Sequence, residues 1–184
     1  MKARWSPCPP IGHELRRVHT ARWVRFHSLP QSKRYAQDEG EYGILLQRHN
    51  TVLEELFGGG DVYTITCAWS GSAQPPARSD QDQRLHPAGR YWTSVLTADD
   101  PDPEFRVYTH LYTSTARWHA GSIDSLLRAV ADDHTAGVII ADTELNRLYR
   151  PYDGGADVIL TTAAERDRLR RRHSDWLSSH PAGL

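Results

Sequence analysis

The sequence predicts an α+β fold: a mainly antiparallel sheet with about three helices packed on it. Three observations predict it. Seven short runs read as strands, most by their two-residue alternation and the rest by β-branched content or by flanking a turn. Three longer stretches repeat apolar residues at three- and four-residue steps. Neighbouring strands joined by short turns favour antiparallel pairing, and the helices then cover one face of that sheet.

Residues 1–21 read as an irregular lead, because Pro7, Pro9, Pro10 and Gly12 break regular elements, and Trp5 is expected to tack onto the domain. Residues 22–184 read as a single α+β domain. Arg22–Leu29 is the first strand, with Val24, Phe26 and Ser28 on one face and Trp23, Arg25 and His27 on the other. Pro30 ends it. Asp38–Phe57 is the clearest helix: Tyr42, Leu45, Leu46, His49, Val52, Leu53, Leu56 and Phe57 form one stripe, and Gly58-Gly59-Gly60 stops it.

Val62–Ser70 alternates as a strand, with Tyr63, Ile65, Cys67 and Trp69 together. Residues 71–90, rich in Pro, Gly, Ser, Asp and Arg, read as a long exposed loop. Tyr91–Thr97 and Phe105–Thr113 are strands divided by the acidic break at 99–103. Ser122 is expected to cap the second helix, whose inner stripe is Ile123, Leu126, Leu127 and Val130. Gly137–Asp142 is a short β-branched strand. Arg147–Tyr152 and Ala156–Thr161 form a hairpin over Asp153-Gly154-Gly155, where glycine is expected to supply positive φ. Thr162 and Glu165 fit a capping box that starts the last helix. Leu169, His173, Trp176 and Leu177 form its stripe, and His180-Pro181 ends it.

A chain of 184 residues is long enough to bury a core without a metal or disulfide staple. Its 22 basic and 23 acidic side chains leave a net charge of −1, which argues against a dedicated nucleic-acid or membrane-surface protein. Cys8 and Cys67 read as free thiols of a reducing compartment. No secretory signal and no stretch of 18 apolar residues is visible, so a bacterial-type cytoplasmic protein is expected.

The most suggestive chemistry lies at the end of the first strand and in the loop that follows it. Arg25, His27, Ser32, Lys33, Arg34 and Tyr35 gather cations and hydroxyls that could hold a phosphate or carboxylate. The same loop also reads as a solvated turn, with Lys33 and Arg34 paired to Asp38 or Glu39. His49 sits on the apolar stripe as a core histidine, and Asn50 could face the loop holding His27. No histidine or cysteine spacing fits a metal site, and no cofactor is predicted. Ser28 or Ser32 beside His27 is the nearest approach to a nucleophile and base. Asp132-Asp133 ends the second helix, where negative charge calls for compensation. The five arginines between 166 and 172 are diluted by acids and read as a solvated helix face.

Arg25-Phe26, Leu53-Glu54-Glu55-Leu56-Phe57, Val62-Tyr63 and above all Leu148–Ile159 resemble the bacterial family known as domain of unknown function 3885. The most specific part is Tyr152-Asp153-Gly154-Gly155-Ala156-Asp157-Val158. The resemblance spans roughly residues 22–180 and implies an α+β fold and a bacterial, cytoplasmic origin, with no activity or catalytic residue to carry over. In that segment Tyr152, Asp153 and Asp157 are candidate ligand contacts. Turn geometry explains them as well: Asp153 through an Asx turn, and Asp157 through pairing with Arg150 or Arg147.

Two functions follow. The first is a non-enzymatic binding or interaction protein of the immunity kind, since no catalytic motif stands out and aromatics are plentiful. The second is a small enzyme or sensor acting on an anionic, phosphorylated small molecule through Arg25, His27, Lys33 and Arg34.

Overall fold

A computed structural model describes residues 11–178. Its seven strands are β1 (Trp23–His27), β2 (Asp61–Ser70), β3 (Arg90–Ala98), β4 (Val107–Arg117), β5 (Ile139–Asp142), β6 (Leu148–Tyr152) and β7 (Gly155–Ile159). They form one sheet in the order β1-β7-β6-β5-β2-β4-β3. Every pairing is antiparallel. The α-helices are α1 (Gly12–Val18), α2 (Glu39–Phe57), α3 (Asp80–Leu85), α4 (Asp124–Ala131) and α5 (Ala163–Arg172).

Strand alternation divides the apolar residues between two faces. Val24, Phe26, Val62, Ile140, Tyr149, Ala156 and Val158 pack against Val52, Leu53 and Leu56 of α2, Leu126, Leu127 and Val130 of α4, and Leu169 of α5. Ile65, Cys67, Leu111, Ile139, Leu148 and Ile159 form a second cluster with Leu15 of α1. Burying each large aliphatic side chain stabilises by roughly 1.5–3 kcal/mol, so these two clusters hold the sheet and its helices together. The sheet is thus covered on one face by α2, α4 and α5, with Leu85 of α3 at the margin, and on the other by α1.

The α+β architecture is as the sequence predicts. Several details differ. The lead is not irregular throughout, because α1 lies within it, after the paired prolines; Trp5, Pro7, Cys8, Pro9 and Pro10 fall outside the described residues. The loop at 71–90 contains α3, with Ser79 accepting from the Asp82 amide. Ser122 does not cap α4: the N-cap position is Ile123, without a side-chain cap. Asp38 caps α2 by accepting from the Glu41 amide at 2.9 Å. Thr162 caps α5, while Glu165 reaches back to the Thr161 amide at 3.2 Å. α5 stops at Arg172, followed by a short 3-10 turn over Ser174–Trp176; His180 and Pro181 fall outside the described residues.

The β6–β7 hairpin departs most from expectation. Asp153, Gly154 and Gly155 do not have positive φ. Gly155 is required for another reason: a Cβ there would lie 2.0 Å from the Phe26 carbonyl oxygen of β1. The glycine lets β1 close onto β7.

Candidate functional site

The sequence-predicted site residues do not converge in one pocket. Alternation on β1 turns Arg25 away from the three-helix face, whereas His49 lies under α2 on the opposite side of the sheet. The loop cations are each neutralised nearby. Lys33 donates to Glu41 at 2.5 and 2.6 Å and to Gln37 at 3.3 Å, rather than to Asp38 or Glu39. Arg34 donates to Asp153 through Nε at 2.7 Å, and the Tyr35 hydroxyl donates to the same carboxylate at 3.2 Å. Asp153 therefore fastens the hairpin tip to the loop after β1 instead of closing an Asx turn. Ser32 is exposed, with φ of 57°. Asn50 does not face His27: it donates to Asp124 and accepts from the Gly121 amide, tying α2 to the start of α4. The acidic end of α4 is met by the Tyr42 hydroxyl, which donates to Asp132.

Under α2 runs a buried chain of neutral groups. Ser28 Oγ lies 3.0 Å from His49 Nε2, and His49 Nδ1 lies 2.5 Å from the Tyr149 hydroxyl. Burial pushes the His49 imidazole down to about 4 and raises the Tyr149 phenol well above its ordinary range, so both stay uncharged at neutral pH. Two more histidines repeat the pattern on this face. His86 bridges Thr66 and Ser114 at 2.9 and 2.7 Å, and His110 bridges Ser70 and Ser94 at 2.8 and 2.7 Å. Each of these imidazoles is buried, and each finds a hydroxyl partner for both of its ring nitrogens, as buried polar groups require. Beside Ser28, His27 has its Nε2 buried without a partner, and its imidazole is held below the ordinary value by burial and then by Arg25 and Arg48.

On the other side of the same three strands lies a charged cluster. Arg25 on β1, Asp157 on β7 and Arg150 on β6 occupy one row of the sheet. Asp157 is only 4% exposed. It accepts from Arg25 Nε at 2.8 Å, Arg25 Nη2 at 3.2 Å, Arg150 Nη1 at 3.3 Å and Trp23 Nε1 at 2.9 Å. The Arg25 guanidinium also lies 4.8 Å from the Tyr152 ring centre and 5.5 Å from that of Trp23. Burial raises the Tyr152 phenol to about 12 despite the nearby Arg25. Four donated bonds and two aromatic contacts hold this buried ionic group rigid.

Tyr149 and Trp23 are the members that single-residue reading passes over; of the two partners the sequence offers Asp157, the structure pairs it with Arg150, while Arg147 goes to Glu165. Alternation places Arg150 and Tyr152 on one face and Tyr149 on the other, and the hairpin register sets Arg150 opposite Asp157. Their union with Arg25 depends on the β1–β7 pairing, about which local sequence is silent. Cys67 packs on the α1 side and donates to the Gly137 carbonyl at 3.2 Å; burial pushes its thiol up to about 12, which removes nucleophilic character. Among the described residues no group of three or more His, Cys, Asp or Glu side chains could hold a metal ion. Among them, too, no helix is long and apolar enough to cross a membrane.

These features define an α+β protein built on one seven-stranded antiparallel sheet, with polar networks packed back to back at one end. The family described as Domain of unknown function (DUF3885) matches residues 11–181, and the chain belongs to that family. No curated protein and no solved structure matches it.

Proposed function

We propose that the protein is a non-enzymatic, cytoplasmic interaction protein that docks a partner chain along the β3 edge. One observation carries this reading: among the described residues β3 ends the sheet without a further strand, and large apolar side chains lie on and beside it. Tyr91, Leu96 and Phe105 are 50, 39 and 67% exposed. Irregularities at Tyr91/Thr93 and Leu96/Ala98 bracket a regular stretch whose outer backbone groups face no further strand. An extended segment of another protein can add there main chain to main chain, with the aromatics as anchors. The internal neutralisation of Lys33 and Arg34 supports this over the anion-binding loop.

Copurification from the native host, followed by size-exclusion chromatography, tests the reading. The tagged protein is expected to bring a stoichiometric partner that Leu96→Asp loses while keeping its melting temperature. A protein recovered alone, or a partner retained equally by Leu96→Asp, contradicts it.

A further inference from the structure

We propose that the α1 side of the β1–β7–β6 corner binds a small dianionic phosphate, either the free ion or a monoester of a small molecule. This site is separate from the β3 edge and from the loop at Lys33 and Arg34.

The charge count motivates it. Arg16, Arg25 and Arg150 surround Trp23 and Asp157, so three guanidiniums face one carboxylate and two positive charges are left over. Phosphate near neutral pH carries about −1.5 to −2 and offers three strong acceptor oxygens, which matches that surplus. Among the described residues no carboxylate pairs with Arg16; its guanidinium lies 5.6 Å from the centre of the Trp23 ring. Arg150 commits one nitrogen to Asp157, while its Nε is buried and without a partner. An unpaired donor at such depth costs free energy that an oxyanion would recover.

Two of these guanidiniums also share a site. Arg16, Trp23, Arg150 and Asp157 line one small crevice, partly open to solvent, with Leu148 and Ile159 among its apolar lining. The enclosed space is no larger than a water molecule, so the anion would sit at the open mouth of the crevice. Asp157 does not exclude the anion. It holds Arg25 and Arg150 in place, and the remaining donors of Arg150 together with Arg16 supply the binding face. Arginine forks suit this chemistry because their planar donors match phosphate oxygens in pairs.

Isothermal titration of the full chain at fixed ionic strength tests the proposal, with inorganic phosphate, phenyl phosphate, acetate and a phosphoserine peptide as probes. Phosphate is expected to bind with one-to-one stoichiometry, and acetate at least tenfold more weakly. Tighter binding of phenyl phosphate than of phosphate assigns the site to a monoester; equal binding assigns it to the free ion. Arg16→Gln should weaken phosphate at least tenfold with an unchanged fold, because Arg16 lies outside the Asp157 ion pairs, whereas Arg34→Gln should leave affinity unchanged. Arg150→Lys keeps the charge but loses the fork and should weaken binding as well. Absence of phosphate binding, equal binding by Arg16→Gln, or a phosphoserine peptide binding more tightly than either small phosphate would overturn the proposal.

Discussion

The two faces of the β1–β7–β6 corner bury polar groups by opposite means. Beneath α2, Ser28, His49 and Tyr149 form an uncharged chain in which an imidazole serves two hydroxyls. Behind them, on the α1 side, Arg25, Asp157 and Arg150 form a salt-bridged cluster in which one carboxylate serves two guanidiniums. The residues alternate along the same strands, so depth of cover makes the difference. Under three helices a charge would lose all its water, and neutral groups are used. Under the thinner cover of α1 the arginines keep partial access to solvent, and a salt bridge persists.

Breaking the ionic side should have the largest effect. Asp157→Ala leaves Arg25 and Arg150 without their carboxylate and is expected to cost about 3–5 kcal/mol in urea unfolding. A cost under 1 kcal/mol would show that solvent already screens the two arginines and that the contrast between the faces is overstated.

Acid should act on the neutral side. The His49 and His86 imidazoles are held near 4 in the folded chain, against 6.5 when unfolded. The unfolded state therefore takes up protons first as pH falls. Their stabilising contribution is complete above pH 6.5 and is lost progressively towards pH 4, by up to about 3 kcal/mol for the fully buried His49 and by less for His86, where solvent screens part of the charge. Urea midpoints measured from pH 7.5 to 4.5 should fall across this window. A flat profile would mean that these histidines titrate alike folded and unfolded.

Tyr149→Phe removes the hydroxyl next to His49 Nδ1 and leaves that nitrogen without a partner; the expected loss is about 1–3 kcal/mol. The smallest effect belongs to the exposed Arg34–Asp153 pair, where Arg34→Gln should leave the urea midpoint essentially unchanged. Together these two substitutions separate a buried network from a surface one by the same denaturation assay.

Why the strands were legible while the networks were not follows from range. Period-two alternation put Arg25 and His27 on one face and Phe26 and Ser28 on the other, and the structure keeps that division. The Asp153-Gly154 turn was visible locally, yet the need for glycine at 155 comes from Phe26, far away in the chain. Likewise Arg25 meets Asp157 across 132 positions, and His49 meets Tyr149 across 100. α1 and α3 escaped notice because seven and six residues show too little periodicity, and α3 sits among prolines, serines and acids. The loop cations looked like a site because their partners, Glu41 and Asp153, come from elements that only the fold brings near.

The comparison also bears on function, since the loop beside this corner is neutralised internally while no described residue pairs with the outer edge of β3 at the far end of the sheet. The most direct measurement is the affinity of the purified partner for Leu96→Asp, Tyr91→Ala and Arg34→Gln, each compared with the unmodified chain by calorimetry. Loss of binding by both β3 variants, with Arg34→Gln unchanged, is the predicted result. Undiminished binding by the β3 variants, or loss confined to Arg34→Gln, would contradict the account.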